Sequence, residues 1–174
     1  MKRTTHGIFF LCIAGALLCA VSGCSTYRLG SMLPPGIETV YVPTFVNETS
    51  EPFIEIDTTR AAIEQLQRDG SLIVAASEED ADSVLQVTLT GYNLTPLAYE
   101  KDRRTSADEY RLTISARVVL LSPEDNSVIA ENPMVQGWAD FEIIGDFTTS
   151  KAQGLPAASR RLGEKIVDAV VEAW

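Results

Sequence analysis

The chain has 174 residues, with 24 acidic against 14 basic side chains and a formal charge of −10. That balance argues against nucleic acid as a partner, because binding a phosphate backbone needs a basic surface. The length suits one ordinary domain, and a single histidine with three cysteines leaves little material for metal or thiol chemistry.

The N-terminus opens Met1-Lys2-Arg3, and residues 8–21 are almost wholly apolar (IFFLCIAGALLCAV). This run is short for a bilayer-spanning helix, which needs roughly 20 apolar residues. It fits the apolar region of a secretory signal peptide. The run closes on Val21-Ser22-Gly23-Cys24, which resembles the lipobox of bacterial lipoproteins. The resemblance implies cleavage between Gly23 and Cys24, diacylglycerol on the Cys24 sulfur and a further acyl chain on its new amine. Each buried CH₂ adds about 0.8 kcal/mol, so several chains together hold a protein to a membrane. Ser25, where an Asp would favour retention at the inner membrane, implies an outer-membrane destination.

Removal of residues 1–23 would take His6, Cys12 and Cys19 with it. The mature chain is then expected to hold no histidine and one cysteine, the lipidated one. It could build neither an internal disulfide, nor a His-based triad, nor a His/Cys zinc site. No G-x-S-x-G, S-x-x-K or glycine-rich phosphate loop occurs in the sequence. The reading is therefore of a protein that is not an enzyme and needs no cofactor or metal beyond the covalent lipid on Cys24. Two of the 14 basic residues leave with the signal, so 12 remain against 24 acidic, a charge of about −12. That opposes broad adhesion to anionic lipid headgroups.

Residues 24–36 read as a lipidated tether ending in Pro34-Pro35-Gly36, and residues 37–174 as one domain. Residues 37–46 (IETVYVPTFV) are β-branched and aromatic, which predicts a strand with Pro43 at an edge or bulge. Over residues 55–69, Ile56, Thr59, Ile63 and Leu66 fall on one helical stripe, with Arg60, Glu64, Gln67 and Arg68 turned outward, and Gly70 supplies the stop. Residues 72–76 suggest a short strand, and 77–82 an acidic turn. Leu85, Val87 and Leu89 then alternate with polar residues. So do Tyr110, Leu112, Ile114, Ala116, Val118 and Leu120, and period two over ten residues predicts a sheet with one buried face. Residues 101–108 (KDRRTSAD) read as the hairpin tip between these strands, and 123–126 as the next turn. Residues 128–141 make a further strand interrupted near Pro133. Residues 145–153 read as a loop, followed by a final helix. Its stripe is Leu155, Ala158, Leu162, Ile166, Ala169, Val170 and Ala173, with Arg160, Arg161, Glu164, Lys165 and Asp168 off it. The order gives an α/β fold: a two-layer sandwich, with a mixed sheet of about four to five strands and two helices packed on one face.

Several segments stand out together: Gly23-Cys24-Ser25-Thr26-Tyr27-Arg28-Leu29, the Pro-Pro-Gly-Ile entry with Val42-Pro43-Thr44-Phe45, and Arg68-Asp69-Gly70-Ser71-Leu72. Gly91-Tyr92, Glu109-Tyr110-Arg111-Leu112 and the terminal Glu172-Ala173-Trp174 complete the set. In this order they resemble the LptE family, the lipoproteins of the outer-membrane lipopolysaccharide translocon. The resemblance implies a non-enzymatic protein that plugs the LptD-type β-barrel, assists its folding and binds lipopolysaccharide. It also implies a basic contact in the loop before the strand that starts Glu109-Tyr110. That places Arg103 at the contact, flanked by Lys101 and Arg104, with Lys151 as a further candidate. Arginine suits bidentate phosphate binding. Asp102 and Asp108 dilute the field there, and a solvated hairpin tip is the plainer account of the same residues. Arg111 and Arg117 share an outward strand face, where barrel, lipid or a cross-strand carboxylate could meet them.

Two other readings stay open at this point. One is a different envelope-assembly lipoprotein, such as a cell-wall synthase activator or a secretion-channel factor, on a similar small domain. The other is a carboxylate enzyme built on Glu51, Glu55 and Asp57, although acids at a helix start are explained by the helix dipole alone.

Overall fold

A computed structural model of the protein describes residues 33–99 and 107–171. In chain order the elements are β1 (Thr39–Tyr41), β2 (Val46–Asn47), α1 (Ile54–Asp69), β3 (Ile73–Val74), β4 (Ser83–Tyr99), β5 (Ala107–Leu121), β6 (Val128–Glu142) and α2 (Phe147–Val171), with a 3₁₀ turn at Glu78–Asp80. Among these residues the strands form one mixed six-stranded sheet. Its order is β3-β1-β4-β5-β6, and β2 also pairs with β4. The β1/β3, β1/β4 and β2/β4 pairs are parallel; β4/β5 and β5/β6 are antiparallel. Two helices with a mixed sheet make the two-layer α/β arrangement read from the pattern.

The alternation predicted for β5 holds: Leu112, Ile114, Ala116, Val118 and Leu120 are all buried. In β4 the predicted Leu85, Val87 and Leu89 are buried, as are Ser83 and Val84 at its start, and after Leu89 the phase changes. Leu89 pairs with Ala116 but Gly91 with Ser115, so Thr90 is an extra residue. This bulge moves the inward face from odd to even positions. Tyr92 and Leu94 thereby come opposite Ile114 and Leu112 and pack on the core. Pro133 sits in a second bulge, where Ala116 pairs with Val135 and Val118 with Asn132. A proline cannot donate to a ladder, so an edge strand with a bulge is the place that tolerates it.

The strand expected over 37–46 is two short pieces. The chain leaves the sheet at residues 42–45, around Pro43, and rejoins β4 through β2. Helix α1 keeps the predicted stop, where the Gly70 N–H donates to the Leu66 carbonyl at 3.0 Å with φ of 75°. Its buried stripe is rotated from the expectation: Ile54, Thr58, Thr59, Ala62 and Leu66 face inward, and Ile56 is exposed. The cause is a neighbour that the periodicity does not contain. Ala61 and Ala62 lie against α2, so close that a Cβ on Gly163 would stand 2.9 Å from the Ala61 carbonyl oxygen. Small residues let the two helices cross there.

Helix α2 begins at Phe147, so residues 147–153 are helical where a loop was expected. Asp146 explains the early start: its carboxylate accepts the Thr149 N–H at 2.9 Å, as an N-cap does. Pro156 lies inside the helix. Gly137 lets α2 lie directly on β6, since a Cβ there would stand 2.2 Å from the Leu162 nitrogen.

Candidate functional site

Among the described residues two clusters of polar and aromatic side chains stand out, one around the loop before α1 and one where β5 and β6 meet α2. The first joins the loop before α1 to the first turns of α2. The Asn47 amide donates to the Glu51 carbonyl at 2.9 Å and to the Glu55 carboxylate at 2.8 Å. Lys151 donates to the Glu51 carboxylate at 2.8 Å, with both side chains half-buried. The Lys151 ammonium also lies 5.7 Å from the centre of the Tyr92 ring. Burial, and after it the nearby Glu51 charge, pushes the Tyr92 hydroxyl up to about 12. Beside this network Tyr110, Phe141 and Phe147 form an aromatic cluster, with Tyr110 and Phe147 edge-to-face at 5.4 Å. Phe53 closes the loop in a left-handed conformation (φ 65°), a costly one for a bulky residue, and it is 72% exposed.

The second cluster is on β5, β6 and α2. Arg111 donates twice to Asp140, its partner in the strand register, at 2.7 and 2.8 Å. That guanidinium holds the Asp140 carboxyl below its usual range, with a smaller contribution from Arg161. The Trp138 ring lies between cations, 3.9 Å from the Arg111 guanidinium carbon and 4.0 Å from that of Arg161. Two groups that close to one ring centre cannot share a face, so they stack on opposite sides of the indole.

The sequence-derived site residues separate on this structure. Gly23, Cys24, Lys101, Arg103 and Arg104 lie outside the described residues. Lys151 is on the first turns of a helix, not in a loop, and its charge is engaged by Glu51. Arg111 takes the cross-strand carboxylate, while Arg117 projects from the same face six residues further along the strand. Glu51, Glu55 and Asp57 do not converge: they pair separately with Lys151, Asn47 and Arg60. No group of histidine, cysteine and carboxylate side chains able to hold a metal occurs among the described residues. No described helix is long and apolar enough to cross a membrane. Trp138, Asp140 and Arg161 were not singled out by the sequence reading. The Arg111–Asp140 pair was within its reach, because the alternation of both strands puts these residues outward; the helix-borne Arg161 was not.

These features define a small two-layer α/β domain with a sheet face that no described helix covers and a cationic–aromatic cluster where β5 and β6 meet α2. The family model for LptE, described as lipopolysaccharide-assembly, matches residues 37–173, and the chain belongs to that family. No curated protein matches the sequence significantly. Among solved structures the chain is similar to a protein of Xanthomonas campestris (11% identity, TM-score 0.54, 81% of this chain and 91% of that one). It is also similar to a hypothetical protein of Chlamydia trachomatis (15% identity, TM-score 0.52, 78% and 99%). A third is a minor lipoprotein of Acinetobacter baumannii (9% identity, TM-score 0.50, 78% and 94%). At these identities the likeness is one of fold.

Proposed function

We propose that this member of the lipopolysaccharide-assembly family is an outer-membrane lipoprotein, anchored through acyl chains on Cys24. In this reading it plugs an LptD-type barrel and assists its assembly for lipopolysaccharide transport to the surface. The observation that carries the reading is the family match over residues 37–173. The lipobox-like Val21–Cys24 and the following Ser25 support the address. The long β4–β5–β6 surface supports the plug: Thr88, Thr113, Arg117 and Gln136 make it polar, as the lumen of a membrane barrel is. A lipid tether also raises the local concentration of the domain beside a barrel in the same membrane.

Arg103, with Lys101 and Arg104 beside it, is the proposed lipopolysaccharide contact. Lys151 is the weaker candidate, because a ligand phosphate would have to displace Glu51 from it. The protein acts by binding, without catalysis or a cofactor. The test is capture from detergent-solubilised outer membranes with tagged full-length protein and Cys24 intact. A large β-barrel recovered in near-equal amount is expected, and Cys24→Ala should release the protein from the membrane fraction. Recovery of a cell-wall synthase or a secretion channel in place of a barrel would overturn the reading. Arg103→Glu should then weaken lipopolysaccharide binding while the barrel is still captured.

A further inference from the structure

Among the described residues there are eight lysines and arginines, and five of them pair with a carboxylate: Arg60, Arg68, Arg111, Lys151 and Lys165. Arg117, Arg160 and Arg161 have no carboxylate within ion-pair distance among those residues. In a chain with 24 acids and 14 bases, every arginine has carboxylates to choose from. Yet two of these three are neighbours, and both line one groove of about 430 Å³ between α2 and β6, with Trp138, Asp140, Ala157 and Glu164. Glu164 is within a helical turn of both arginines and still does not pair with either.

The geometry explains what this leaves available. Arg111 spends two donors on Asp140 and fixes one face of Trp138; Arg161 covers the other face. Stacking holds a guanidinium by its plane and leaves the N–H edge of the fork free. Arg161 is therefore oriented before any partner arrives, and Arg160 stands beside it. A planar fork pre-set in this way matches a carboxylate, and arginine and tryptophan together are the residues that carry most energy in protein interfaces. A lipid phosphate fits less well, because the groove offers acyl chains only Ala157 and part of the indole. The large exposed apolar side chains Phe53, Ile56 and Ile144 are not among its lining residues. Beside the groove runs β6, the last strand in the sheet order, whose outer side pairs with no described strand.

We infer that Arg160 and Arg161, braced by Trp138, anchor the domain to acidic side chains of its protein partner. This rests on the barrel reading above for the identity of that partner. The experiment is quantitative capture of the LptD-type barrel by the full-length lipoprotein. Wild type is compared with Arg160→Ala, Arg161→Lys and the Arg160→Ala/Arg161→Ala double variant, and thermal melting serves as the fold control. Each lost charge-assisted contact should weaken capture on the order of tenfold, and added salt should narrow the difference. Arg161→Lys keeps the charge but loses the fork, and should behave as a loss. Should Arg161 variants fail to fold, Arg160→Ala, which removes an exposed side chain with no ion pair among the described residues, decides alone. Equal capture by wild type and a folded variant overturns the inference while the barrel reading stands. No barrel capture by wild type overturns both. Retained barrel capture with loss of co-purifying lipopolysaccharide assigns the arginines to a phosphate and also overturns it.

Discussion

The two halves of the sheet are built by different means. On the antiparallel side, β4, β5 and β6 contribute 17, 15 and 15 residues, and long ladders hold them in register. On the parallel side, β1, β2 and β3 contribute three, two and two. Ladders that short cannot fix a chain, and side chains reaching to backbone replace them. The Asp82 carboxylate accepts the N–H groups of Glu38 and Thr39, at 3.1 and 2.9 Å, and the Thr39 hydroxyl at 2.7 Å. The Ser83 hydroxyl donates to the Thr39 carbonyl at 2.8 Å. Where the chain departs around Pro43, the buried Phe45 N–H donates to the Thr59 hydroxyl of α1 at 3.0 Å. One half is specified by pattern and the other by a handful of polar contacts far apart in sequence. The polar outer face proposed to meet a partner belongs mostly to the first half.

The strongest way to break the antiparallel half is at Gly137. A valine there would push its Cβ to 2.2 Å from the Leu162 nitrogen and 2.5 Å from the Ala158 carbonyl oxygen, so α2 must lift from β6. Backbone cannot give as a flexible side chain does, and the expected loss is at least about 3 kcal/mol in denaturant unfolding. A Gly137→Val protein that unfolds like wild type would mean that α2 does not rest on β6. The parallel half should break more gently. Thr59→Val keeps the shape but strands the Phe45 N–H in a buried site, at a cost of about 1–3 kcal/mol. Amide exchange checks the contrast: Phe45 and its neighbours should lose protection, while central β5 amides follow only the global loss.

The same difference decides what could be read from the sequence. Period two over ten residues announced β5, and the order of elements gave the two-layer fold. The break that divides the expected 37–46 strand into β1 and β2 left no signal beyond Pro43, because pieces of three and two residues carry no period of their own. The phase change at Thr90 depends on pairing with β5, which a single strand does not reveal. The stripe of α1 was misplaced at Ile56 because Ala61 and Ala62, unremarkable in sequence, are what meet Gly163. The early start of α2 was missed because the apolar stripe begins only at Leu155, although the Asp146 cap lies in the sequence seven residues before Gln153. At the candidate site, the Arg111–Asp140 pair follows from register. The placement of Arg161 over Trp138 depends on how α2 crosses the edge of the sheet, which no local pattern encodes.

Acid provides the finest comparison of the two halves, because each contains an aspartate held below its ordinary range. In Asp82 the cause is first the Thr39 hydroxyl and then the Glu38 and Thr39 N–H groups; in Asp140 it is first Arg111. A carboxyl depressed in the folded state favours folding at pH above its unfolded value, near 3.8. That contribution fades as pH falls through the lower folded value, because the folded protein must then take up the proton it had resisted. Both groups therefore make the protein less stable in acid, but through different regions. Asp82→Asn should flatten the acid-induced rise in exchange at the β1 and β3 amides and leave β6 unchanged. Asp140→Asn should do the reverse, with a smaller effect, because a continuous ladder already holds β5 to β6 at that point. If both variants change the two halves alike, the sheet opens in acid as a single unit. The division between a half held by ladders and a half held by side chains would then describe how the fold is built and not how it comes apart.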